Sequence, residues 1–132
     1  MKTLVITAAA ILLMALPARA DEAARQVISD QIAALQQDDF ETAFTFASPT
    51  IRRIFGGPDQ FGQMVQNGYP MVLRPAEIRF LGSEQTNMGL RQGVMIRDLQ
   101  GVLHQLDYAM VPGPDGWKID GVRIRAMPDG SA

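Results

Sequence analysis

The chain has 132 residues, with 12 basic and 14 acidic side chains, one histidine and no cysteine. One small domain of this size buries a modest core, and a net charge of −2 argues against nucleic acid as a partner. Without cysteine there is no disulfide, no thiolate nucleophile and no cysteine metal site. A lone histidine would need several carboxylates to converge on it to hold a metal, and no spacing provides them, so neither a metal nor a cofactor is expected.

Residues Met1 to Ala20 have the order of a cleavable signal peptide. Lys2 precedes an apolar run from Leu4 to Leu16 that only Thr7 interrupts; Pro17 and the small-x-small site Ala18-Arg19-Ala20 follow. The run falls short of the roughly 20 residues that span a bilayer, and no cysteine follows it to carry a lipid. No stable membrane anchor is therefore expected. A buried N-terminal helix is the other reading, but nothing amphipathic appears before Asp21. Removing this segment takes away Lys2 and Arg19 and no acid, so the domain that remains is more acidic than the whole chain. The expected protein is exported, and periplasmic if its source has two membranes. It is a single domain over 21–127 with a frayed tail over 128–132.

The first half reads as helix. Ala24, Ile28, Ile32 and Leu35 recur every three or four positions between Glu22 and Gln37. Asp38 reads as an N-cap with Glu41 three residues on, and Phe40, Ala43, Phe44 and Ala47 form a second stripe. Ser48-Pro49 caps and restarts a helix carrying Ile51, Ile54 and Phe55, which stops at Gly56-Gly57. Pro58 opens another, with Phe61, Met64 and Val65 on one side, and Asn67-Gly68 closes it through a left-handed cap. Tyr69 to Pro75 is a transition, since Pro70 and Pro75 both disfavour helix at the preceding residue.

After Pro75 the period changes to two. Ile78 and Phe80, then Val94 and Ile96, then Leu106, Tyr108 and Met110, then Trp117 and Ile119 mark four half-buried strands. Asp98-Leu99-Gln100-Gly101 and Gly113-Pro114-Asp115-Gly116 are short links, and the second suits a type I turn. Short links imply an antiparallel meander. The apolar phase slips around Gly121, and a bulge there returns Val122 and Ile124 to the inner face. The expected fold class is α+β, with N-terminal helices packed on a curved four-stranded antiparallel sheet. The outer sheet face is mixed: Met95, Leu103, Ala109 and Val111 lie among Arg79, Arg97, Asp107, Lys118 and Arg123.

The ending Asp115-Gly116-Trp117-Lys118-Ile119-Asp120-Gly121-Val122 resembles the last strand of many nuclear transport factor 2-like proteins, in which a curved sheet forms a cone over three helices. A narrower resemblance rests on Phe46-Ala47-Ser48-Pro49, Phe55-Gly56, Phe61, Met64-Val65, Gly68-Tyr69-Pro70-Met71-Val72 and Arg74-Pro75. These are similar to a family of short exported bacterial proteins, domain of unknown function 4864, and the likeness runs from Asp21 to Arg125. The resemblance implies a concave pocket at the wide end of the cone and pairing of two copies through the outer sheet face. It does not settle function, because one fold hosts many activities.

Few residues can act. His104 shares a face with Leu106 and Tyr108, where a neutral histidine can act as an acid or base; the plainer reading is a partly solvated residue at a strand end. Asp107, three residues on, faces the other side and removes the obvious His–Asp pair. Asp98 has the inner parity, but it stands at a turn, where aspartate is common for conformational reasons. Asp120 faces inward only if the bulge turns it. Arg74 either closes the pocket mouth against a carboxylate or pairs with a helix C-terminus or an acid. Tyr69 is a rim hydroxyl or an apolar seal. The phenylalanines and Met64 are core. Tyr69, Arg74, His104, Tyr108 and Trp117 are the candidate ligand-binding residues, and no catalytic set emerges. A non-catalytic module is expected, binding a small apolar ligand in the cone or a protein partner on the outer face, and pairing with itself there. The alternative is a small lyase or isomerase with an acid–base pair in the cone.

Overall fold

A computed structural model describes residues 16–126. Five helices precede four strands: α1 (Leu16–Gln36), α2 (Phe40–Thr45), α3 (Pro49–Phe55), α4 (Pro58–Gly68), α5 (Pro70–Leu73), β1 (Pro75–Gln85), β2 (Leu90–Asp98), β3 (Leu103–Gly113) and β4 (Gly116–Arg125). The strands form one antiparallel sheet in the order β1-β2-β3-β4. This is an α+β domain. The signal segment up to residue 15 and the tail from residue 127 lie outside the described residues.

The apolar stripe of α1 does what its spacing predicts: Ala24, Ile28, Ile32 and Leu35 are all buried. They meet Val94, Ile96, Leu106, Tyr108, Met110 and Ile119 on the inner sheet face. Burial of each large side chain contributes about 1.5–3 kcal/mol. The helix starts at Leu16, six residues before the expected Glu22, so it runs through the Ala18-Arg19-Ala20 junction.

The end of α1 differs from the expected N-cap at Asp38. Asp38 is the left-handed residue of a helix-stop, with φ 57°. Its N–H donates to Leu35 O at 2.9 Å, and Asp39 N–H donates to Ala34 O at 2.9 Å. This is the Schellman pattern with aspartate where glycine is usual. The cap of α2 is the next residue, Asp39, whose carboxylate accepts from Thr42 N at 3.1 Å and is held below its usual pKa first by the Thr42 side chain and then by that N–H. Ser48 caps α3 as expected, and Gly56 ends it at φ 84°. Gly68 does not take the expected left-handed cap. The backbone instead leaves the helix at Tyr69, φ −136° and ψ 51°, because Pro70 disfavours helix there, and a further short helix, α5, follows.

Besides a register shift at Ala76, where β1 begins, two irregularities bend the sheet. In β1, Leu81 and Gly82 together face Gly93 of β2. In β4, Ala109 pairs with Gly121 and Met110 with Ile119, so Asp120 is the extra residue. Gln92 sits fully buried beside the first bulge. It donates to Leu81 O at 2.8 Å and accepts from Arg25 Nε of α1 at 3.2 Å, while the Arg25 guanidinium lies 5.6 Å from the Phe80 ring centre. Among the described residues, helices and sheet join through the backbone at one place: Ser48 N donates to Ile119 O at 2.8 Å, and Ile119 N to Phe46 O at 2.9 Å.

Phe61 links three short helices, with ring centres 5.5 Å from Phe44 and 6.2 Å from Phe55. Phe40 packs directly on Gly62 of α4, where an added Cβ would lie 2.7 Å from the ring. Relieving that overlap costs about 1–3 kcal/mol, against a gain of about 1 kcal/mol from helix propensity. Gly62→Ala is therefore expected to destabilise the protein by about 1 kcal/mol. Gly68→Ala, which meets nothing within 4 Å, is expected to be neutral or slightly stabilising. Urea unfolding of the two variants checks the pair.

Candidate functional site

A cavity of about 290 Å³ opens between the helices and the far half of the sheet. Its wall comes from α1 (Gln31, Leu35), the α2–α3 corner (Ala47, Ile51, Phe55), α4 and its exit (Phe61, Met64, Val65, Tyr69), α5 (Val72) and the sheet (Tyr108, Ile119, Gly121, Val122). The sequence explains why space remains there. α3 is only seven residues long and buries none of them fully. Gly121, opposite Ala109 next to the β4 bulge, presents no side chain. A short helix over a glycine cannot fill the gap that α1 and Phe61 leave.

Among the described residues the wall contains no carboxylate, histidine, lysine or arginine. Its polar groups are two tyrosines and one glutamine. Tyr69 Oη donates to Val122 O at 2.8 Å, tying the α4–α5 corner to β4. Tyr108 is 1% exposed, and burial pushes its hydroxyl above the ordinary tyrosine range. It is a neutral donor at physiological pH, unsuited to act as a base. Gln31 is buried and donates through Nε2 to Ala43 O at 3.2 Å.

Of the five candidates, Tyr69 and Tyr108 line this cavity; Arg74, His104 and Trp117 do not. Arg74 holds both carboxylate oxygens of Asp38, at 3.1 and 3.0 Å, and donates to Leu73 O at 2.8 Å and Gln36 O at 3.5 Å. It secures the end of α1 from outside the cavity. Both partners are about half exposed, so the pair contributes no more than about 1 kcal/mol. Trp117 pairs with Pro112 at the hairpin end and packs against Gly89.

His104 does have an acidic partner, and it is Asp98 rather than the misoriented Asp107. Nε2 lies 2.9 Å from Asp98 Oδ2. The antiparallel register explains the pair: Ile96 sits opposite His104, so Asp98, two residues further, is its diagonal neighbour on the same face. Asp98 also accepts from Gln100 N and Val102 N, each at 2.9 Å, and so closes the β2–β3 turn. Asp107 is engaged on the outer face by Arg125 at 2.9 Å. Asp120 accepts from Ser48 Oγ at 2.6 Å, and neither lines the cavity.

Gln31, Ile51 and Phe55 are cavity residues that sequence reasoning did not single out. Gln31 had a signal: it is three residues after Ile28 and four before Leu35, a polar residue set into an apolar stripe. On the outer face, Met95 and Leu103 are diagonal neighbours, while Ala109 and Val111 lie beyond Asp107. Ion pairs Glu77–Arg97, Glu84–Arg91 and Asp107–Arg125 cross the same surface. The described residues contain no cluster of three or more histidine, aspartate or glutamate side chains placed to hold a metal ion, and no described helix is long and apolar enough to cross a membrane.

Asp98 is held below the usual carboxyl range, first by His104 and then by the Val102 N–H. A lowered folded value means a contribution that is complete above the ordinary 3.8 and fades as pH falls through the lower folded value. Asp98→Asn is expected to lower the thermal midpoint at neutral pH, and the gap to the unmutated protein should narrow as the pH falls below 3.8. Thermal unfolding across pH measures this; a constant gap contradicts it.

Comparison with known proteins yields one match. The family model of Domain of unknown function (DUF4864) matches residues 17–132. No curated protein and no solved structure matches the chain.

Proposed function

The chain belongs to the DUF4864 family, and from that premise we propose that it is an exported, non-catalytic module that binds a small, largely apolar molecule between its helices and its sheet. The observation that carries this reading is the composition of the 290 Å³ cavity: apolar and aromatic walls with only three polar side chains. That is the make-up of small-molecule sites. General acid–base catalysis needs a titratable group against the substrate. The wall has none but tyrosine, and the His104–Asp98 pair stands at the β2–β3 hairpin, outside it. This arrangement favours binding over the lyase or isomerase alternative. The proposal includes kinship with the nuclear transport factor 2-like cone.

Export belongs to the same proposal. Cutting after Ala20 would leave Asp21-Glu22 in the first turn of α1, where negative charge is favourable; the uncut helix has no acid in its first turn. So does self-association through the outer sheet face, supported by the adjacent, partly buried Met95 and Leu103.

Native mass spectrometry of protein expressed from the whole chain and recovered after export reads all three features. The expected polypeptide starts at Asp21, appears as a dimer that Leu103→Glu converts to monomer, and carries a small adduct. Met64→Trp, which fills the cavity from α4, should remove the adduct while leaving the fold intact by circular dichroism. A bare protein with no adduct, and no uptake of naphthalene-sized probes, contradicts the binding reading.

A further inference from the structure

The polar groups in the cavity wall have a property that the apolar reading leaves unused. Tyr108 is almost completely buried, at 1% exposure. Among the described residues no group hydrogen-bonds its hydroxyl, and none contributes to its raised pKa through such a bond: burial comes first and the charge on Tyr69 second. Yet no fully sealed side-chain polar atom among the described residues lacks a partner. The Tyr108 hydroxyl is therefore not completely sealed, and the free space beside this residue is the cavity that it lines. Neighbouring Tyr69 does not compete for it, since its own hydroxyl is spent on Val122 O. Burying a hydroxyl without a partner is unfavourable, and a donor held in an apolar recess discriminates strongly for a ligand that presents an acceptor.

Gln31 adds a constraint on charge. Its Nε2 is engaged by Ala43 O, which orients the amide. Among the described residues its carbonyl oxygen accepts no bond, and the wall to which it belongs has no cation. A carboxylate entering here would lose its hydration and gain no positive partner. A cation would find no carboxylate.

Resting on the binding reading above, we propose that the cavity takes a neutral molecule bearing an uncharged oxygen acceptor, a carbonyl or an ether-like oxygen, to which the Tyr108 hydroxyl donates. The size follows from the volume. A cavity of 150 Å³ holds benzene, so 290 Å³ accommodates about a dozen non-hydrogen atoms.

Three naphthalenes of matched shape test this: 2-acetylnaphthalene, 2-isopropylnaphthalene and 2-naphthoate, titrated into the unmutated protein and into Tyr108→Phe. The acetyl compound is expected to bind at least about fivefold tighter than the isopropyl compound to the unmutated protein. Tyr108→Phe should abolish that advantage and leave isopropylnaphthalene affinity unchanged, which also reports an intact cavity. Naphthoate should bind weakest. Equal affinities for the two neutral probes, an advantage that survives Tyr108→Phe, or tightest binding of naphthoate overturns the assignment while leaving the binding reading in place. If none of the three binds, the binding reading itself falls. The comparison within the unmutated protein stands whether or not the variant folds.

Discussion

The arrangement depends on a short backbone seam between the helical half and the last strand. Phe46, Ser48 and Ile119 exchange two main-chain hydrogen bonds, and Ala47 pairs with Ile119 as an isolated parallel bridge. Ser48 does two further things there: its hydroxyl donates to Asp120, and the same oxygen caps α3 by accepting from Ile51 N at 3.2 Å. Each such bond contributes only about 0.5–1.5 kcal/mol net. Their effect is geometric. They fix where α2 ends, where α3 begins and how far both stand from β4. The Asp120 bulge is what brings that carboxylate to Ser48, because it adds one residue to β4 just after the bridge.

The cavity is a consequence of this seam. With the α2–α3 corner pinned to Ile119, α3 cannot sink into the sheet, and its Ile51 and Phe55 lie on the rim of a space they do not fill. Ile54, on the other side of the same helix, is 66% exposed. Close packing is concentrated elsewhere, under α1, where buried aliphatic side chains meet the centre of the sheet. The molecule thus has a dense half beneath α1 and an open half beneath α3, α4 and α5. An apolar void forfeits dispersion contacts on its lining. A ligand of matching shape restores them, and the Tyr108 hydroxyl, unpaired among the described residues, would add a directional requirement to that gain.

Much of the fold was legible because its signals were local. Periodicity marked α1 and all four strands, Ser48-Pro49 and Gly56 bounded α3, and the phase slip near Gly121 revealed the β4 bulge. What was missed was tertiary. Asp38 looks like a cap by residue type, but the hydrogen bonds of the α1 stop shift the cap to Asp39. The β1 bulge at Leu81-Gly82 leaves no phase signal, because Gly93 opposite has no side chain. The His104–Asp98 pair requires the β2–β3 register, which spacing along one strand cannot supply. Of the cavity, Tyr69 and Tyr108 were visible as aromatic residues at meaningful positions. Arg74 was drawn to the pocket by its apolar neighbours, yet the strained aspartate ending α1 claims it. Gln31 is polar within a buried stripe, a signal that gains meaning only once the space beside it is known.

The central claim is that the space under α3 is an accessible apolar binding cavity. Methyl-detected NMR with an apolar probe tests it most directly, with naphthalene added to protein labelled at its isoleucine, leucine and valine methyls. Shifts confined to Leu35, Ile51, Val65, Val72, Ile119 and Val122, with Leu103 and Val111 on the opposite face unmoved, are the predicted result. Shifts centred on Leu103 and Val111, or none at saturating naphthalene, would contradict the account.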